Sequence, residues 1–173
     1  MRWLLMVVSI IATYAYGSGN WIATIAGERE PGARLVVHGQ VFDPSGTKPA
    51  AGVTVYAYHT DATGRYNKPL AIQPRLRATV VTNGEGRFEL RTIRPVGYPG
   101  RRDPAHIHFQ LRGGGYPKQG AALEFADDPR MTPARLAESR VKGRFASIVT
   151  PKRDARGVQH ATINIRLGTE SND

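Results

Sequence analysis

Leu35-Val36-Val37-His38-Gly39-Gln40-Val41-Phe42, closed at once by Asp43-Pro44-Ser45-Gly46, is the stretch that decides the fold class. A short run rich in Val and aromatic residues suits a pleated strand, and the Asp/Pro/Ser/Gly cluster supplies the chemistry of a chain reversal. The same alternation continues downstream. Residues 53–58 end at Asp61-Ala62-Thr63-Gly64, and residues 106–111, 122–125, 145–149 and 161–167 supply later strands. Residues 78–82 and 87–92 flank Asn83-Gly84-Glu85-Gly86, a hairpin signal because Asn and Gly tolerate positive φ; the two runs are expected to pair. Helix is expected only over 132–139, with Thr132 as N-cap and Pro133 at the first position. The pattern is that of an all-β chain, an antiparallel β-sandwich.

The 173 residues, 40% of them hydrophobic, suffice for one core and one domain. Arg2, the apolar run 3–12 and the small residues Ala15 and Gly17 read as a cleaved secretory signal over 1–17. An N-terminal extension over 18–33, the sandwich over 34–167 and a flexible polar tail over 168–173 complete the expected organisation. Export makes the protein secreted or periplasmic. The apolar run is shorter than the roughly 20 residues that cross a bilayer, so no stable membrane span is expected. The absence of Cys excludes disulfides and a lipid anchor on Cys, leaving stability to packing and to any bound metal. The net charge of +10 is scattered among Pro and Gly, not gathered on one helix. It reads as a basic surface suited to anionic surroundings, with no nucleic acid as partner. No heptad or obvious interface declares an oligomeric state.

Chemistry concentrates in Asp103-Pro104-Ala105-His106-Ile107-His108-Phe109. On a strand His106 and His108 share one face, and Ile107 and Phe109 share the other. The imidazoles make a chelate with an apolar back. The Pro-, Gly- and Arg-rich stretch 93–104 just upstream carries Tyr98, and Tyr66 follows the Asp61–Gly64 turn cluster. Imidazole suits Zn, Cu, Fe and Ni, whereas phenolate is a hard, strongly donating anion that fits Fe(III) best. Two tyrosinates and two neutral histidines would leave ferric iron with one positive charge, ready for a dianionic bidentate ligand. Catecholates are such ligands.

Gly64-Arg65-Tyr66, Gly84-Glu85-Gly86-Arg87-Phe88, Thr92-Ile93-Arg94-Pro95, Tyr98-Pro99 and Pro104-Ala105-His106-Ile107-His108-Phe109 resemble, in order, the signature blocks of the intradiol ring-cleavage dioxygenases. This is the protocatechuate and catechol dioxygenase family, and the resemblance runs from about Val37 to Pro129. It implies a non-haem Fe(III) cofactor, a small-molecule catecholic substrate and O2, and a muconate-type diacid as product. It also implies roles: Tyr66 and His106 as equatorial ligands, Tyr98 and His108 as axial ones, with Tyr98 displaced by the catechol and accepting its proton. The family usually carries Arg immediately before Pro-Ala-His; here Asp103 stands there, with Arg101 and Arg102 upstream, and Arg102 is the candidate to reach the substrate instead. Ala122 stands where the family has a pocket Gln, and the interval from Tyr98 to His106 is short. The resemblance is to the compact, exported, single-sandwich members.

A second reading competes. Residues 37–43, Gly46, Gly52-Val53-Thr54-Val55, Thr82 and 84–88 also resemble a transthyretin-like or carboxypeptidase-regulatory-like domain, a non-enzymatic interaction module. Tyr66, Tyr98, His106 and His108 together discriminate the two, since a plain sandwich has no use for the quartet. A family member with altered catalysis, suggested by Asp103 and Ala122, is a third possibility. Tyr56 and Tyr58 read as aromatics filling a strand face, His38 and His59 as surface or strand-edge residues, and His160 as the opening of the last strand. Gly113-Gly114-Gly115 reads as a turn, with Tyr116 a candidate for a cavity mouth.

Overall fold

The computed structural model describes residues 20–66 and 73–169. The signal-peptide reading of residues 1–17 lies outside them, as do residues 170–173 of the tail. In chain order the strands are β1 (Ile22–Thr24), β2 (Arg34–Phe42), β3 (Val53–His59), β4 (Leu76–Val81), β5 (Arg87–Ile93), β6 (His106–Gly113) and β7 (Tyr116–Phe125). The helix α1 (Pro133–Arg140), a 3-10 turn (Gly143–Phe145) and β8 (Ile148–Val149), β9 (Lys152–Arg153) and β10 (Gln159–Arg166) follow. Two sheets form, one ordered β1-β5-β2-β10-β9 and the other β4-β3-β6-β7-β8. The chain is a β-sandwich, as the strand pattern requires.

Alternation builds the core. Leu35, Val37 and Val41 point inward from β2, Val55 and Ala57 from β3, and Ile107, Phe109 and Leu111 from β6, all of them buried. Phe88 of the first sheet meets Phe109 of the second edge to face at 5.9 Å. Each buried Val, Leu, Ile or Phe among them contributes about 1.5–3 kcal/mol on burial. The residues between them necessarily face out, which sends His106 and His108 to the outer surface of the second sheet.

Most pairings are antiparallel, but β10 runs parallel to β2 from Gln159↔Leu35 to Arg166↔Phe42, and β1 runs parallel to β5. The stretch read as an N-terminal extension thus contributes an edge strand. The expected pairing of 78–82 with 87–92 does not form: β4 pairs with β3, and β5 pairs with β2. At Thr82 the chain still bonds to Val53, while Gly86 already accepts from the Val41 N–H at 2.8 Å. Asn83 closes the turn by accepting from the Glu85 and Arg87 N–H groups. The turn chemistry is the expected one, yet it carries the chain from one sheet to the other. Both runs have an inward face, so each fills the core from its own side.

The helix begins where expected, Thr132 accepting from the Arg135 N–H at 3.3 Å. Residues 145–149 divide into the end of the 3-10 turn and the two-residue β8. β7 starts at Tyr116, six positions before the expected 122, after a turn in which Gly113, Gly114 and Gly115 all have positive φ. Tyr116 packs against the core and lines neither of the two cavities described below. His59 is not at the surface. It is fully buried, 2.7 Å from both the Thr60 carbonyl and the Thr92 hydroxyl.

Candidate metal centre

The outward positions of β3, β6 and β7 form the floor of the site. Register places Tyr58, His108 and Ala122 in one row across the three strands, with His106 opposite Glu124 one step along. Two loops deliver the phenols above this floor. The loop after β3 turns on Asp61, whose carboxylate accepts from the Thr63 N–H, the Thr63 hydroxyl and the Arg65 N–H. Burial opposes the Asp61 charge, but those hydrogen bonds hold the carboxyl below its usual range. Gly64 follows with φ of 76°, and a Cβ there would lie 2.5 Å from the Gly97 carbonyl. Only glycine lets the loop before Tyr66 lie directly on the loop before Tyr98. Thr60 donates to the Val96 carbonyl at 2.6 Å and completes the tie.

The four donor atoms converge. His106 Nε2 and His108 Nε2 are 2.9 Å apart, and Tyr98 Oη is 3.3 Å from the first and 3.4 Å from the second. Tyr66 Oη makes a short contact with Tyr98 Oη. His106 Nδ1 lies 2.8 Å from the Pro104 carbonyl, which can only accept, so Nδ1 carries the proton and Nε2 presents its lone pair. Tyr58 stacks on His108 at 4.8 Å. Burial, and secondarily the His106 charge, push the His108 imidazole below its ordinary value, which favours the neutral ligand form.

These donors fit a ferric ion. Ligands about a cation, with bonds of about 2.1 Å, lie about 3 Å apart, close to the spacing among Tyr98, His106 and His108, while the Tyr66 and Tyr98 oxygens lie closer together. Burial first, then the Tyr98 hydroxyl, drive the Tyr66 phenol far above its usual range, so it ionises only against a strong cation. Among the described residues no cluster of three or more His, Cys, Asp or Glu side chains could hold a metal. A metal here therefore depends on the phenol oxygens, which is the donor chemistry of Fe(III).

Arg101 and Arg102 are both exposed, and the one that approaches the quartet is Arg101, its guanidinium carbon 5.8 Å from the Tyr98 ring centre. The loop after β7 supplies a brace that sequence reasoning missed. Asp128 accepts from the Ala105 N–H at 3.1 Å and from the Arg130 N–H at 2.8 Å. Arg130 donates to the Asp103 carbonyl at 3.3 Å and packs so closely on Gly97 that a Cβ there would lie 2.0 Å from Nη1. Both ends of the Tyr98 loop are thus held by one segment. A signal for the brace existed only in the Asp-Pro-Arg run 128–130, which reads equally well as a plain turn.

Two cavities lie elsewhere. One, of about 440 Å³, is lined by Arg94, Val96, Gly97, Asp127, Asp128 and Arg130 behind the Tyr98 loop. Its Arg94 is already engaged by two hydrogen bonds to Asp127 and one to Gln159. The other, of about 640 Å³, opens between the β7 edge and β10 beneath Val141 and Phe145. Neither is lined by the four donors, which occupy an open sheet face under two loops.

A family model described as Dioxygenase matches residues 16–169. Among curated relatives, catechol 1,2-dioxygenase 2 of Acinetobacter lwoffii is 33% identical over 118 residues, 58% of this chain and 42% of that protein. The protocatechuate 3,4-dioxygenase beta chain of Burkholderia cepacia is 35% identical over 94 residues, 47% of this chain and 40% of that one. The chain spans about two fifths of the length of these relatives. Among solved structures, the dioxygenase domain of a dioxygenase carbohydrate-binding protein fusion from the cellulolytic bacterium Streptomyces sp. SirexAA-E superposes with a TM-score of 0.67 at 26% identity, covering 85% of this chain and 87% of that one.

Proposed function

This chain belongs to the intradiol ring-cleavage dioxygenase family, and we propose that it is a non-haem Fe(III) enzyme that cleaves a catecholic ring with O2. The convergence of Tyr66, Tyr98, His106 and His108 on one point carries this reading. These four residues would hold the iron. When bound, ferric iron would supply the Lewis acidity that activates a catecholate toward O2.

The protein's own groups have distinct tasks. Tyr98 sits on a loop and touches both histidines, so it is the phenol placed to give way to substrate and to accept a catechol proton at Oη. Tyr66 reaches the cluster through its contact with the Tyr98 hydroxyl. Pro104 fixes the His106 ring and Tyr58 the His108 ring, so both imidazoles keep their aim at the centre of the cluster. Arg101, beside the Tyr98 ring, brings positive charge to the incoming dianion. Both oxygen atoms of O2 enter the product, a muconate-type diacid.

We further propose, from residues 1–17, that the protein is exported and acts outside the cytoplasm. Fractionation should find a chain shortened by the signal in the exported fraction; a full-length chain retained in the cytoplasm would contradict this. The interaction-module reading is set aside, because it gives the quartet no use. Oxygen uptake by the iron-loaded protein over a panel of catechols tests the enzyme directly. One O2 consumed per diacid formed is the expected result. Iron bound by the quartet with no uptake across the panel would identify a family member that has lost catalysis.

A further inference from the structure

Tyr56 and Tyr58 are two apart on β3 and share its outward face with the donors, their rings 5.5 Å apart. Tyr58 is the inner of the pair, 4.8 Å from the His108 ring and 5.8 Å from the Tyr66 ring. Tyr56 lies one strand repeat further out, about 7 Å along the sheet. On β6 the residue opposite Tyr56 is Gln110, one strand repeat from His108, the residue opposite Tyr58.

Across from His108 and Gln110, β7 offers only Ala122 and Gly120. Gln110 and Gly120 are exposed, while Tyr56 and Tyr58 are half-buried. A shallow trough therefore leaves the donor cluster along the strands. Its wall is aromatic, its floor is an amide, and its far side is bare.

A trough of this kind suits a flat apolar group fixed to the ring that is being cleaved. A bare catechol fills only the space over the donors and leaves Tyr56 and Gly120 uncovered. The strip itself is made of Tyr, Gln, Ala and Gly and holds no charged side chain; of the arginines at its margin, Arg77, opposite Tyr58 on β4, donates to the Pro74 carbonyl, and Arg101 lies on the Tyr98 side. Offset or edge-on packing against a tyrosine favours an aromatic ring over a saturated group of the same bulk.

Resting on the dioxygenase reading, we propose that the substrate is a catechol carrying a second aromatic ring, which lies along this trough and packs on Tyr56. Tyr56 is then a specificity residue, and Ala122 and Gly120 give the second ring its room.

The test compares catechol, phenylcatechol and cyclohexylcatechol on the iron-loaded protein, by kcat/KM in air and by anaerobic binding followed through the change in visible absorption. Wild-type protein should prefer phenylcatechol to both others. Tyr56→Ala should reduce its preference over catechol by about tenfold, and Tyr56→Phe should keep it, the expected size for one lost ring contact. Introducing bulk with Gly120→Leu should abolish the preference in both measurements. Equal handling of phenylcatechol and catechol by wild-type protein, or an unchanged preference in Tyr56→Ala, would overturn the inference while leaving the dioxygenase reading intact. A protein that binds no ferric iron, or that turns over none of the three, would overturn both.

Discussion

At the scale of single residues, the candidate centre is a matter of which side chains are free to move. His106 is fixed by Pro104, His108 lies under Tyr58, and Tyr66, half-buried, meets Tyr98 through its hydroxyl. Tyr98 and Arg101 sit together on the loop that faces the opening. We predict that Arg101→Ala lowers kcat/KM for a carboxylated catechol by about tenfold and that Arg102→Ala changes it less, because both are exposed but the Arg101 guanidinium lies by the Tyr98 ring. Steady-state kinetics on the two variants decide it; a larger loss with Arg102→Ala would reverse the assignment. His106, His108, Tyr66 and Tyr98 were legible in the sequence, since a His-x-His strand and two tyrosines in family order advertise themselves. Choosing between adjacent arginines was not, because loop side chains take their direction from tertiary contacts.

At the scale of elements, the centre depends on how loops are tied to strands. The segment after β7 holds Ala105 through Asp128, and Asp103 and Gly97 through Arg130, so it sets where the Tyr98 loop begins and ends. We predict that Arg130→Ala weakens ferric iron binding by about tenfold or more while leaving the far-UV circular dichroism of the sandwich unchanged, the usual cost of losing a group that orients ligands. Gly97→Ala, which places a methyl against the Arg130 guanidinium, should act in the same direction. Iron affinity measured by competition with a chelator checks both; wild-type affinity in Arg130→Ala would remove the brace from the account. Local signals read well here, as in the Thr132 cap and the Asp61 turn. They failed at Asn83–Gly86, where correct turn residues join two sheets and not two neighbours in one. A turn specifies reversal, but the partner of each strand is chosen by packing across the core.

At the scale of the whole molecule, two sheets close on a core and leave one imidazole inside it. His59 was expected at a strand edge, and its burial comes from the way β3 runs between β4 and β6 with the Thr60 and Thr92 groups waiting for both ring nitrogens. Burial pushes the His59 imidazole below its ordinary value of 6.5, with the Thr60 carbonyl only partly offsetting this. The unfolded chain therefore takes up a proton near that value while the folded chain stays neutral to lower pH. Stability is present above about pH 6.5 and is lost as pH falls below it toward the folded value. Denaturant unfolding of the iron-free protein at pH 7.5 and 5.5 should show this loss, and His59→Gln should reduce the slope, leaving the share contributed by His108. An identical slope in the variant would count against it.

The central claim is that one sandwich face and two loops build a ferric site from two phenols and two imidazoles. Its most direct measurement is the visible absorption of the purified protein after loading with ferric iron, compared with Tyr66→Phe. The account predicts a reddish protein with a tyrosinate-to-iron charge-transfer band that weakens or shifts in the variant; a colourless protein that retains no ferric iron would contradict it.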